Sequence, residues 1–405
     1  MTAIERQPAN GEQTPGQWAV RWFAVWFVGV LVAVVPLVHC TWHVVLGNTA
    51  PVVRTRSQVA MPAIDPSRLR TGEWMAAAER SLREASPVVW WLRGSYNELR
   101  YRLGVPHHAR VRFGEDEWMF LAETCREIGP ARPAMSAAAR AFVADVLGRI
   151  RDAGAELLVA IVPDKARVYP KRAFADGRMP PHLGRRYADL VRRFEELGVP
   201  VVDLATPLAA AAGDPAGEPL YYARDTHWRP GGALLASQAI AAAIEARFGD
   251  RLSPRVAMTL KGPSSYFAPG DLLLMSGMLG AVEPRPDGSV RPIALSLLTN
   301  RLAERRDYYG IETKRGGGAR ALRGEDPAAE VLLVGTSFAE EGGLAALTFA
   351  LGRDVYGCID KGAVAIAPMQ RAVRELADGV ARPRVVVWQI VERGFGAVEW
   401  REPKL

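Results

Sequence analysis

The amino-acid sequence predicts an α/β protein: a three-layer α/β/α sandwich around a parallel central sheet, preceded by one N-terminal transmembrane helix. Three observations carry this reading. Short apolar runs, LLVAIV at Leu157–Val162, EVLLV at Glu330–Val334 and RVVVWQI at Arg384–Ile390, alternate with amphipathic helical segments. Strands that are apolar on both faces belong to a parallel sheet covered by helices on each side. The second observation is a lone uncharged run near the start, Trp22–Val38. The third is composition: 405 residues, 49% hydrophobic and 23% charged, is the profile of a folded globular chain. It excludes a mainly disordered, collagen-like or polytopic membrane protein. Three cysteines, Cys40, Cys125 and Cys358, are too few and too scattered for a disulfide framework or a cysteine zinc site.

In order along the chain, residues 1–17 are polar and carry Pro8 and Pro15. Residues 18–46 read as an uncleaved signal anchor. The apolar run continues weakly to Leu46, long enough for the ~20 residues that span a bilayer. Trp18, Trp22, Trp26 and Trp42 stand where interfacial aromatics belong. A cleaved signal peptide is the rival, but the run is long and no small-x-small site follows it cleanly. Arg6 and Arg21 precede the span and Arg54 and Arg56 follow it, so flanking charge leaves orientation open. Residues 47–109 read as a linker followed by a helical stalk: Glu73–Leu103 is helical, interrupted by Pro87, with an apolar Val88–Trp91 cluster to bury. The α/β domain occupies 110–405. Its expected elements are a helix at Ser136–Ala153, the Leu157–Val162 strand, a helix at Leu183–Leu197, a strand at Val199–Asp203 and a helix at Gly231–Phe248. After these come the Glu330–Val334 strand, a helix through Leu351, a helix at Gln370–Leu376 and the Arg384–Ile390 strand.

Net charge is +7, but of 51 basic residues only six are lysine. That arginine excess, together with the Ala and Gly content, reads as codon bias, so the charge does not argue for a nucleic-acid partner. An anionic polymer or a lipid surface stays open.

Ligands of parallel α/β sheets bind beyond the carboxyl ends of the strands, which singles out three junctions. These are Pro163–Asp164–Lys165, the segment Tyr221–Trp228 before the Gly231 helix, and Gly335–Thr336–Ser337–Phe338 after EVLLV. A serine at a strand-to-helix turn stands at the top of the sheet, beside backbone donors that favour negative charge. That suits a nucleophile whose attack creates an oxyanion. Ser337-x-x-Glu340 fits a helix capping box equally well. Asp225 and His227 lie two apart, on one side of an extended segment, so the carboxylate can orient the imidazole. The alternative is that Asp225 caps the next helix and His227 packs beside Trp228. Of six histidines, only His227 has an acid two residues away in a loop that opens a helix. Together the two motifs supply the three roles of a catalytic triad, in chain order Asp225, His227, Ser337.

Asp225–Thr226–His227–Trp228 followed by Gly335–Thr336–Ser337–Phe338 resembles the alginate O-acetyltransferase family of the AlgJ/AlgX type, whose catalytic domain is a permuted relative of SGNH hydrolases. Gly114–Leu121, Val162–Pro170 and Val391–Arg393 resemble the same family, so the likeness covers roughly residues 73–395. The resemblance implies Ser337 as nucleophile, His227 as general base and acid, and Asp225 as its orienter. It implies that Tyr222, Arg224 and Trp228 line the site and that Asp164 and Lys165 shape its floor. The flat faces of Tyr222 and Trp228 beside His227 suit sugar rings; the alternative is that both are core aromatics. Two departures stand out: the usual Gly-Asp-Ser block reads Gly335–Thr336–Ser337, and no Gly-x-Asn block supplies a second oxyanion donor. The resemblance further implies residues 1–17 in the cytoplasm, an inner-membrane anchor and a periplasmic catalytic domain. A multipass membrane O-acyltransferase would be the acetyl donor and an exported polysaccharide the acceptor.

Two other classes share these residues. With water as acceptor the triad is that of a polysaccharide deacetylase or esterase; a vestigial triad would suit a scaffold of a secretion complex. No HExxH and no GxxxxGK[ST] occurs, so no metal and no cofactor are expected. Gly316–Gly317–Gly318 reads as a flexible connector. Cys125 and Cys358 would face an oxidising compartment, and spacing leaves their pairing open.

Overall fold

The computed structural model describes residues 63, 66–85, 87–104, 110–126, 135–278, 282–284, 290–292, 304–315, 318–322, 324–360, 366–396, 400 and 403. The predicted anchor, the linker up to residue 62, and the side chains of Val88–Trp91 lie outside that description. Among the described residues no helix is long and apolar enough to cross a membrane.

The chain divides into two units. The smaller comprises residues up to Tyr96 together with 279–296. It holds helices at Pro66–Arg70 and Glu73–Ala85, the start of the helix Pro87–Arg102, and a short hairpin. Residue 86, where the expected interruption falls, lies outside the described residues.

The larger unit carries the site. Its strands are β1 (Val111–Phe113), β2 (Met119–Leu121), β3 (Glu156–Val162), β4 (Val201–Asp203) and β5 (Met258–Ala268). The hairpin of the smaller unit supplies β6 (Val282–Pro284) and β7 (Val290–Pro292). The larger unit resumes with β8 (Glu304–Arg315), β9 (Gly318–Leu322), β10 (Val331–Gly335), β11 (Val355–Ile359) and β12 (Val385–Val391). A five-stranded sheet runs in the order β11-β10-β12-β3-β4, parallel throughout. Alternate side chains enter opposite cores. Val159, Ile161, Val334, Val386 and Trp388 pack with the helices Ala137–Asp152, Pro181–Glu196 and Ile366–Ala377. Leu158, Ala160, Val162, Leu333 and Val387 pack with Ala205–Ala212, Pro230–Phe248 and Leu344–Leu351. Two cores flanking one sheet make the three layers, and each fully buried aliphatic side chain contributes ~1.5–3 kcal/mol.

The expected strands and helices fall within a few residues of their predicted bounds, with three corrections. The regular helix after Ser337 begins at Leu344, because Ala339–Gly343 form an irregular turn with Gly342 at φ 91°. Strand β11 is an addition. A three-stranded antiparallel sheet, β5-β8-β9, occupies the region between residues 258 and 322. Gly318 therefore opens β9, opposite Arg315, rather than lying in a connector. Cys125 and Cys358 are buried and unpaired.

Candidate active site

Strand β10 delivers Ser337 beyond the carboxyl edge of the sheet. At Gly335 an added Cβ would lie 2.6 Å from the Ala339 Cβ, so only glycine permits the sharp turn. Thr336 and Phe338 are buried while Ser337 stays half-exposed, which leaves its hydroxyl accessible. Tyr221 and Trp228 form an isolated antiparallel bridge. The Tyr222 N–H donates to the His227 carbonyl at 3.2 Å. The 221–228 segment is thus a tight loop that presents His227 toward β10.

The Ser337 hydroxyl lies 2.8 Å from His227 Nε2. His227 Nδ1 lies 2.6 Å from Asp225 Oδ1, and the His227 backbone N–H donates to the same oxygen at 2.8 Å. An ionised carboxylate only accepts hydrogen bonds, so Nδ1 carries the proton and Nε2 is free to accept from Ser337. The Asp225 Oδ2 accepts from the Asp271 N–H at 2.8 Å and from the Arg306 guanidinium. Asp225 is buried. Burial raises its pKa, but the His227 hydrogen bond and the charges of His227 and Arg306 outweigh this and hold the carboxyl well below the usual range. The hydroxyl of Ser337 thus faces His227, and Asp225 holds the imidazole rather than capping the Pro230–Phe248 helix, while its second oxygen receives the N–H that opens the helix Asp271–Met275.

Four residues that sequence reasoning missed secure this arrangement. Arg306, on β8, meets Asp225 from the antiparallel sheet. Asp271 accepts the Thr226 N–H at 2.7 Å and lies 3.7 Å from His227 Nδ1. Glu304 accepts the N–H groups of Ala223 and Arg224 at 2.8 and 2.7 Å. Glu341 pairs with Arg306 at 3.6 Å. Gly270 allows the approach of the Asp271 segment, since a Cβ there would stand 2.0 Å from the Arg224 carbonyl oxygen. Asp225, His227 and Asp271 form a cluster close enough to hold a cation. Its facing atoms already serve His227, Arg306 and Thr226.

Of the residues expected to line the site, the two aromatics take the alternative of burial. Trp228 is buried: its ring meets Phe338 edge-on at 5.1 Å and its Nε1–H donates to the Glu341 carbonyl at 3.0 Å. Tyr222 is also buried, beneath the Arg306 and Arg229 guanidinium groups at 4.9 and 5.5 Å. Core packing covers the Trp228 ring, and the two guanidinium groups cover that of Tyr222. Arg224 turns to Glu117 at 2.5 Å. Lys165 is a buried tether. Its ammonium donates to the carbonyls of Met119, Ala223 and Asp225 at 2.6, 2.7 and 3.0 Å. Burial pulls its pKa down to about 7. Asp164 is buried among Arg186, Arg393 and Glu392. Burial and the Glu392 charge push its pKa up to about 6.

A parallel α/β/α sandwich with serine, imidazole and carboxylate aligned past its strand ends is the SGNH hydrolase-like class of fold and site. The profile of the family described as "SGNH hydrolase-like domain, acetyltransferase AlgX" matches residues 111–392, and the chain belongs to that family. A probable alginate O-acetylase AlgJ of Pseudomonas syringae pv. tomato is 28% identical over 336 residues, 80% of this chain and 78% of the relative. The O-acetyltransferase domain of Pseudomonas putida AlgJ superposes with a TM-score of 0.54 at 26% identity, covering 70% of this chain and 91% of that one. Pseudomonas aeruginosa AlgX shares the fold, with a TM-score of 0.52 at 18% identity over 74% of this chain and 65% of that one.

Proposed function

We propose that this chain is a membrane-anchored periplasmic O-acetyltransferase that acetylates an exported polysaccharide through an acetyl ester on Ser337. The observation that carries the reading is the continuous hydrogen-bonded line from Ser337 Oγ through His227 to Asp225, at 2.8 and 2.6 Å, within an acetyltransferase family. Ser337 Oγ attacks the donor's acetyl carbonyl and its proton passes to His227 Nε2. Collapse of the tetrahedral adduct breaks the donor's acyl bond, and the leaving group takes that proton. A sugar hydroxyl then attacks the Ser337 ester, gives its proton to His227 and leaves as the acetylated sugar, while Ser337 Oγ is reprotonated. Asp225 stays ionised and stabilises the charged imidazole. A multipass membrane O-acyltransferase supplies the acetyl group, and the Trp22–Leu46 anchor holds both proteins in one membrane, raising effective concentration. The name of the relatives makes a uronate polymer such as alginate the first acceptor to test. No metal, cofactor or nucleic acid enters the scheme.

The test gives the full chain an acetyl-ester donor with and without oligosaccharide, and mass spectrometry compares acetylated sugar with free acetate. Acetylated sugar is expected. Rapid acetate release that oligosaccharide does not affect would establish an esterase instead. Topology is checked separately: a C-terminal reporter active only in the cytoplasm should stay silent.

A further inference from the structure

With Trp228 and Tyr222 buried, the sugar contacts have to come from elsewhere, and the antiparallel sheet supplies a candidate. On the β5–β8 ladder Tyr266 stands opposite Arg306, and Ser264 opposite Tyr308. Tyr266 and Tyr308 are therefore diagonal neighbours on one face, the face from which Arg306 reaches Asp225. Their rings lie parallel within 5°, centroids 5.4 Å apart, and their hydroxyls meet at 2.8 Å. Tyr308 remains 37% exposed. Its hydroxyl donates to Glu341 Oε2 at 3.2 Å, and Arg306 lies 3.6 Å from that same oxygen. Glu341 follows Ser337 by four residues, on the irregular turn. Tyr308 sits two residues beyond Arg306 on β8, about 7 Å along the strand, which is the scale of one sugar ring.

A pyranose has a C–H face and a rim of hydroxyls. Aromatic faces receive the first through many weak contacts, and phenol and carboxylate groups receive the second. We propose that Tyr266, Tyr308 and Glu341 form the acceptor subsite, seating a pyranose ring of the polysaccharide beside Ser337. The subsite rests on the acetyltransferase reading. Arg306 links the two functions, since it binds Asp225 on one side and Glu341 on the other.

The test measures binding apart from turnover. Full-length Ser337→Ala protein is titrated calorimetrically with mannuronate and with cello-oligosaccharides. Adding Tyr308→Ala should weaken binding of whichever probe the parent takes by about tenfold, the loss typical of truncating an aromatic anchor. Tyr308→Phe, which keeps the ring, should hold it within about threefold. With Ser337 restored, Tyr308→Ala should raise the acceptor KM more than it lowers kcat. If Tyr308→Ala loses its cooperative thermal transition, Tyr266→Leu serves as the second variant with the same expected loss. Equal affinity in parent and variant, no binding of either probe, or equal loss in the Ala and Phe proteins would overturn the subsite. A wild-type enzyme that binds oligosaccharide yet only releases acetate would instead refute the transferase reading and leave the subsite standing.

Discussion

Ser337 has the contacts that the proposed nucleophile needs and a helix cap does not. Its hydroxyl faces an imidazole nitrogen at 2.8 Å, and the helical turn that starts there breaks at Glu341–Gly342 before the regular helix Leu344–Leu351. Ser337→Ala should therefore abolish acetyl transfer by several orders of magnitude with little change in melting temperature, checked by calorimetry beside turnover. Asp225→Asn should leave the site assembled but slow by about 10⁴, because an amide favours the wrong imidazole tautomer. Arg306 makes a different demand. Removing it strands a buried carboxylate, a loss on the order of 3–5 kcal/mol, so Arg306→Gln should lower both stability and rate; a urea midpoint equal to the wild type's would refute the pairing. Asp225, His227 and Ser337 were legible because their residue types and local spacing announce the chemistry. Arg306 was not: it lies 81 residues from its partner, in a chain rich in arginine, and nothing local marks it.

Among the elements, the parallel strands were legible because burial on both faces writes an unbroken apolar run. Strand β11 escaped notice because its sequence, with Gly357 and Cys358 inside it, forms no unbroken apolar run. Strands β5 and β8 mix polar and apolar residues without a buried run, since one sheet face is largely open. Lys165 joins β2 to the 221–228 loop through three carbonyls, and its charge carries a pH signature. Its folded pKa of about 7 lies below the ordinary lysine value of 10.5. Between these values the unfolded chain holds a proton that the folded chain has released, so this residue's contribution to stability rises with pH. The difference in unfolding free energy between wild type and Lys165→Met should climb from pH 7 toward 10, by at most about 1.4 kcal/mol per unit. Urea titrations at several pH values would show it; a flat difference would mean that the amine is not perturbed.

For the larger unit, the sandwich predicted from strand patterning is present and the antiparallel sheet is an addition to it. That addition sets a timetable. The Asp225–Arg306 pair closes a loop of 81 residues between the central α/β layers and a sheet outside them. Closing long loops costs entropy before any contact repays it. The central sheet closes a longer loop still, since Val385 of β12 pairs with Glu156 of β3, so an assembled site waits on both closures. Refolding from urea should thus restore acetyl-transfer activity no earlier than the fluorescence of Trp388, which reports the β12–β3 pairing; activity that returned first would refute this dependence. Competence would then be the last property to arrive, complete only once every distant segment has docked.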